Sequence, residues 1–287
     1  MVVGLVGPAV KPCIAIAHAA WSPGRAETLA RLIAELEPQG VKPYVQVSEQ
    51  KEHAQVWARR LWAWAAQQEG PAILLNDDVW VSPDLVARVD AMTDILPDEI
   101  LSLHCQLPAA RELAEAGVTW LRSYWASGPA MVIPKSVSPQ LEEWMAKMPK
   151  SLLGKWNEDG YLQLWAWSRR RPMFHCLPAL VQHDVDVPSS LGYDKHTLRS
   201  AVVDWRDSLY AEDGLPEVRL DGPAPFVENP WMTTDTLMWM EAVMDGLMAK
   251  GLCVMCQKTP IKFTSHISGC GVCGPCVAQC VTAAVGA

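Results

Sequence analysis

From residue 13 onward the chain alternates short apolar runs with amphipathic ones, and the alternation runs into a pair of carboxylates. Residues 13–17 are an unbroken apolar run. After the turn at 20–23, Leu29, Leu32, Ile33 and Leu36 recur at helical spacing, with Ser22 and Pro23 placed as N-cap and first helical residue. Gly40 ends that helix, residues 44–47 read as a second strand, and Ala54, Trp57, Leu61 and Trp64 form the apolar stripe of a second helix. Residues 72–75 then supply a third strand that leads straight into Asn76, Asp77 and Asp78. This order predicts an α/β fold, a mainly parallel sheet with helices on both faces, because parallel neighbours are joined only through crossovers that lie on the faces.

The remaining elements are read more coarsely. Strands are expected at 100–104 and 130–133. A helix is expected from Pro139, with Leu141, Trp144, Met145 and Met148 inward, and another around 158–167. Residues 221–230, with three Pro and one Gly, read as an irregular connector, followed by a short helix over 233–250. The expected division is an α/β domain over 1–205, a connector and helix over 206–250, and a Cys-rich module over 251–287. Half of the 287 residues are hydrophobic and a fifth are charged, which excludes a disordered chain. The formal charge of −8 restricts any nucleic-acid contact to a local patch. Fourteen Trp against three Phe is an unusual balance, and most of the indoles are expected in the core. No continuous apolar helix of bilayer length is evident, and the run at 13–17 is too short for a signal-peptide core, so a cytoplasmic protein is expected.

Adjacent carboxylates at a strand end repel one another unless a cation or a donor network relieves them. The run 74–84 contains no basic residue, so a hard divalent ion such as Mg²⁺ or Mn²⁺ is the expected relief. Asp is also a favoured turn residue, which gives the pair a second, purely local use. The position matters because open α/β sheets bind ligands beyond the carboxyl ends of their strands.

The order of motifs resembles the nucleotide-sugar glycosyltransferases of the GT-A fold, of phage or bacterial type. The matching pieces are Ala20-Trp21-Ser22-Pro23-Gly24-Arg25, Leu75-Asn76-Asp77-Asp78-Val79 and Gly128-Pro129-Ala130-Met131-Val132-Ile133. They continue with Asn157-Glu158-Asp159-Gly160, Leu177-Pro178-Ala179-Leu180-Val181-Gln182-His183 and Pro188-Ser189-Ser190-Leu191-Gly192. The resemblance covers roughly 13–192, and Asn76 replaces the usual first acid of the acidic motif. It implies that Trp21 and Arg25 contact a nucleotide-sugar donor such as a UDP-sugar, and that Asp78 binds Mn²⁺ or Mg²⁺. Asp77 would bind the ribose or a metal-bound water, and His183 the ion from the far side. Glu158 and Asp159 sit where a helix begins, where ionised carboxylates also serve as caps. By resemblance one of them deprotonates the acceptor hydroxyl, Asp159 being preferred.

Six of the nine Cys lie in the last 35 residues. Cys253/Cys256 and Cys270/Cys273 form two Cys-x₂-Cys knuckles 13 residues apart, close to the spacing of a four-thiolate structural zinc site. Cys270, Cys273, Cys276 and Cys280 also have the spacing of an iron–sulfur segment, and His266 could replace a thiolate in the zinc set. Lys250, Lys258 and Lys262 give this tail local positive charge. A docking module of this kind raises DNA, with a hydroxymethylated pyrimidine, as the acceptor. A protein or glycan acceptor, and an interaction protein without activity, are the alternatives. Asp77, Asp78, Asp159 and His183, all present, argue against the last.

Overall fold

The expected alternation is present: β1 (Cys13–Ala19), α1 (Arg25–Leu36), β2 (Tyr44–Ser48), α2 (Ala54–Ala66) and β3 (Ala72–Asn76) follow one another. They open a computed structural model that describes residues 11–146, 158–189, 200–220 and 222–228. Next come β4 (Val79–Val81), α3 (Leu85–Ile95), β5 (Leu101–Ser102), α4 (Ala110–Glu115), β6 (Trp120–Ser123) and β7 (Ala130–Ile133). The series ends with α5 (Ser138–Ala146), α6 (Glu158–Ser168), β8 (Met173–Cys176) and β9 (Val181–His183). Seven strands form one sheet in the order β2-β1-β3-β7-β5-β8-β6, and β4 pairs with β9 in a separate antiparallel ribbon.

The sheet is buried on both faces because the central strands are apolar on both sides, with His18 and Asn76 the polar residues near the ends of β1 and β3. In β1, β3 and β7 the residues Ala15, Ala72, Leu74, Met131 and Ile133 face one core, which packs Leu61 and Trp62 of α2, Leu141 and Met145 of α5, and Trp165 of α6. Their neighbours Ile14, Ile16, Ile73, Leu75, Ala130 and Val132 face the other core, with Leu32 and Leu36 of α1 and Val89 and Met92 of α3. The period-2 alternation of strand side chains thus produces two layers from one sheet. Trp62, Trp120, Trp125, Trp165 and Trp167 are buried, whereas Trp21, Trp57, Trp64, Trp80, Trp144 and Trp205 keep one side in solvent.

The structure bears out a mostly parallel sheet and refines three details of the sequence-based expectation. First, β7 runs antiparallel to both β3 and β5. β1, β2, β3, β5 and β8 run one way and β6 and β7 the other, a distinction that an apolar run does not encode. Second, the 100–104 strand shrinks to Leu101–Ser102: Leu103 N still donates to Ala130 O of β7 (3.1 Å), but its carbonyl accepts from Leu180 and Val181 instead. Third, α1 begins at Arg25 with Gly24 as N-cap, not at Ser22 and Pro23. Gly24 has φ 77°, the left-handed region in which glycine carries no Cβ penalty. A side-chain cap contributes about 1 kcal/mol. The conformation adopted instead delivers Arg25 to two buried carboxylates, an interaction worth several times as much when broken.

The described part of the expected connector is irregular but not detached. Arg122 on the edge strand β6 donates through its amide to Pro225 O (2.8 Å) and through Nε to Ala224 O (3.0 Å), and Val227 N donates back to Arg122 O (2.8 Å). This strap covers an edge that would otherwise present unpaired backbone groups. The helix expected over 233–250 and the Cys-rich module lie outside the described residues. Among the described residues no helix is long and apolar enough to cross a membrane.

Candidate active site at the carboxyl end of the central strand

β3 is the strand about which the site is organised. Its register pairs Asn76 with Ala17 of β1, and Asp77 N continues the ladder by donating to Ala17 O (3.1 Å). Because β1 and β3 are parallel, the last residues of both, together with the first turn of α1, meet at one end. Because β7 is antiparallel, its start lies there too: Leu75 pairs with Ala130, and Asn76 N donates to Pro129 O (2.9 Å).

Asp77 and Asp78 are almost completely buried, at 1% and 3% exposure. Asp77 Oδ2 accepts from Ala19 N (2.9 Å) and lies 2.7 Å from His18 Nδ1, while its Oδ1 accepts from Arg25 Nη1 (2.5 Å). Arg25, itself 3% exposed, places Nη2 2.9 Å from Asp78 Oδ2 and 3.3 Å from Pro188 O. The premise that no base neutralises the pair is therefore corrected: the base comes from α1, 52 residues upstream of Asp77. Two carboxylates and one guanidinium leave one formal negative charge when His18 and His183 are neutral. Arg25 binds the two carboxylates here, and Asp77 engages both its oxygens with protein donors. Trp21 is half-buried in the loop before Arg25, with Lys51 Nζ 5.8 Å from its ring centre.

His183 is brought to Asp78 by the ribbon. In it Val79 pairs with His183, and Asp184 N donates to Asp78 O (2.8 Å), which sets His183 Nε2 3.7 Å from Asp78 Oδ1. That separation exceeds a hydrogen bond but suits two atoms sharing a small cation, whose metal–oxygen bonds are about 2.0–2.1 Å. Among the described residues no group of three or more His, Cys, Asp or Glu is placed to hold an ion. Asp78 and His183 are the two residues of this cluster that could contribute to an ion here, whose remaining ligands would have to come from outside it. Behind His183 the His104 ring stands edge-on at 5.6 Å, and His104 Nδ1 shares a 2.6 Å hydrogen bond with buried Ser127 Oγ.

Ser127 leads into Gly128, where the second acidic pair is packed. A Cβ at Gly128 would stand 2.9 Å from Glu158 Oε1 and 3.7 Å from Asp159 Oδ2, so this glycine makes room for both carboxyls. Glu158 and Asp159 open α6 and line a pocket with Asn76, Gly128, Trp57, Leu61, Trp62 and Leu162. Asp159 Oδ1 accepts from Gly160 N (2.8 Å), a local cap, whereas Glu158 Oε2 has no hydrogen-bond partner among the described residues. Burial in this apolar setting raises both carboxyl pKa values, and the charge of Asp159 raises Glu158 further. Near neutral pH Glu158 is thus the proton-holding member and Asp159 the more readily ionised one.

The Glu158 shift has a testable consequence. A carboxyl whose folded pKa lies above its unfolded value binds more protons folded than unfolded, so its ionisation destabilises the fold as pH rises. Stability should fall with increasing pH once above about pH 4.5, the ordinary value for glutamate. Glu158→Gln is expected to flatten that slope and raise Tm at pH 8. A thermal denaturation series from pH 5 to 9 checks this, and parallel curves for the two proteins would contradict it.

The structure brings together Arg25, Asp77, Asp78 and His183 directly, and joins Glu158 and Asp159 to them through Asn76 and Gly128 at the same sheet end. Sequence reasoning missed His18, whose signal was a single imidazole in the otherwise apolar β1. It also missed His104 and Ser127, which carry no local signal. Cys105 and Cys176 are buried thiols with pKa values pushed up to about 12 by desolvation, so they are unreactive. Cys253, Cys256, Cys270, Cys273, Cys276, Cys280 and His266 lie outside the described residues.

These features define a mixed α/β domain with a buried acid–base cluster beyond the end of its central strand. No protein-family model matches the chain, and no curated protein sequence matches it. Solved structures align with part of the chain at low identity. A197 from STIV has 12% identity and a TM-score of 0.41, over 60% of this chain and 84% of that one. A glycosyltransferase involved in the glycosylation of the major capsid of PBCV-1 has 19% identity and a TM-score of 0.32, over 55% of this chain and 77% of that one.

Proposed function

We propose that the chain is a metal-dependent glycosyltransferase that moves a sugar from a nucleotide-sugar donor to an acceptor hydroxyl. The observation that carries the reading is the meeting, at the end of β3, of the Asp78–His183 pair with a carboxyl pair of raised pKa. Donor binding needs positive charge at the diphosphate, which an ion held by Asp78 and His183 would supply, and acceptor activation needs a base, which the Glu158–Asp159 pair would supply at the same sheet end.

In this reading Asp78 and His183 hold Mn²⁺ or Mg²⁺. The ion, when bound, supplies the positive charge that stabilises a departing nucleoside diphosphate. Arg25 and Asp77 keep Asp78 in place, and Trp21 offers an apolar face for the nucleotide at the loop beside them. Asp159 accepts the proton of the acceptor hydroxyl as its oxygen bonds to the anomeric carbon. The bond from that carbon to the diphosphate oxygen breaks, and its electron pair leaves with the nucleoside diphosphate. Glu158, holding its proton, keeps a second negative charge away from Asp159.

Two acceptor classes belong to the proposal. The acidic chain favours a protein or glycan, whereas a zinc-bearing Cys-rich tail, or its iron–sulfur alternative, would favour hydroxymethylated DNA. A screen of nucleotide-sugar donors, scored by nucleoside diphosphate release with each acceptor in parallel, separates them. Transfer is expected to require Mn²⁺ or Mg²⁺ and to vanish in Asp78→Ala while the circular dichroism spectrum is retained. Undiminished transfer in chelator, or in Asp78→Ala, would reduce the acidic pair to a structural turn.

A further inference from the structure

Resting on that reading of Asp78 and His183, we propose that Arg31 is a positioning residue that sets the two groups at their working separation. The ribbon that carries His183 shares no ladder with the main sheet, and its backbone is tied to it by the short link Asp77-Asp78 after β3 and by Val181 N donating to Leu103 O (3.0 Å). Side chains of α1, from successive turns, add the contacts that reach both strands of the ribbon. Arg31 Nη1 lies 2.5 Å from Asp184 Oδ2, and Nη2 donates to Val79 O (3.0 Å). The guanidinium carbon sits 3.4 Å above the centre of the Trp80 ring. Glu35, one turn on, accepts from Val81 N (3.3 Å) and lies 3.6 Å from Arg31 Nε.

Arg31 thus touches the residue after Asp78 and the residue after His183, one on each side of the ribbon. The same helix begins with Arg25, which holds Asp77 and Asp78 themselves. One rigid rod accordingly fixes both halves of the Asp78–His183 pair. The carboxylate of Asp184 is 8% exposed and its arginine partner 24%, so the contact is shielded enough to orient the ribbon. A planar guanidinium meets the carboxylate, the carbonyl and the indole at once, a combination that an ammonium group does not reproduce.

The test uses the full chain with Arg31→Ala and Arg31→Lys, and Mn²⁺ alone as the probe. Mn²⁺ affinity is measured by calorimetry, and amide exchange is followed in Val79–Val81 and Val181–His183 against β1 and β3. Arg31→Ala is expected to weaken Mn²⁺ binding by up to about 10-fold, the low end of the cost of losing a direct outer partner, since Arg31 holds the neighbours of the two ligands and not the ligands themselves. Exchange should quicken in the ribbon only, and Arg31→Lys should fall between. Unchanged ribbon exchange would overturn the proposal, as would a loosened ribbon with unchanged Mn²⁺ affinity, which would make Arg31 merely structural. If the native chain binds no Mn²⁺, the metal reading fails by itself. The His183 imidazole NMR signals then decide: a shift in Arg31→Ala supports the positioning role, and an unmoved signal overturns it.

Discussion

Arg25→Met is expected to destabilise the fold by about 3–5 kcal/mol at neutral pH, the cost of leaving a buried ion pair with one partner. The magnitude follows from burial. Asp77, Asp78 and Arg25 have 1–3% exposure, so neither carboxylate can recover hydration when the guanidinium is removed. By contrast, the Arg60–Glu52 pair, with side chains 45% and 24% exposed, should contribute no more than about 1 kcal/mol. Urea unfolding of Arg25→Met and of Arg60→Met measures the difference. The further replacement of Asp77 and Asp78 by Asn in the Arg25→Met background should restore much of the loss, because an uncharged cluster carries no ionic desolvation cost. A loss below about 1 kcal/mol for Arg25→Met would mean that the cluster is already hydrated or otherwise compensated.

The same residues show what a sequence can and cannot disclose. The βαβαβ opening is legible because β1 and β3 carry long apolar runs and each helix keeps its 3.6-residue stripe, so local periodicity and burial agree. The location of Asp77 and Asp78 beyond β3 follows from it. Their neutralising partner does not: a search of the flanking run finds no base, and Arg25 arrives only when the β1–β3 register and the Gly24 turn are known. Strand direction is equally hidden. Residues 130–133 read the same in either sense, yet the antiparallel sense of β7 is what brings Gly128, and with it Glu158 and Asp159, to the end of β3 that bears the acidic pair. β4 and β9 are three residues each, too short for a period to register, although they set His183 beside Asp78.

If Asp159 is the general base, Asp159→Asn should lower kcat by about 10²- to 10⁴-fold with little change in the donor KM. The amide keeps the size of the carboxylate and can still accept from Gly160 N, so the start of α6 should survive and the loss would be chemical. Glu158→Gln provides the contrast. Its burial holds Glu158 protonated more strongly than Asp159, and an amide resembles that neutral form, so transfer at neutral pH should fall far less than in Asp159→Asn. The acidic limb of the kcat profile should stay in place in Glu158→Gln, because Glu158 already holds its proton over the range in which Asp159 ionises. The reverse ranking, with Glu158→Gln inactive and Asp159→Asn active, would give the base to Glu158. Loss of donor affinity in Asp159→Asn would place that carboxylate against the nucleotide sugar. Full activity in both would separate this pocket from the reaction and leave the raised pair as a consequence of packing two acids around Gly128.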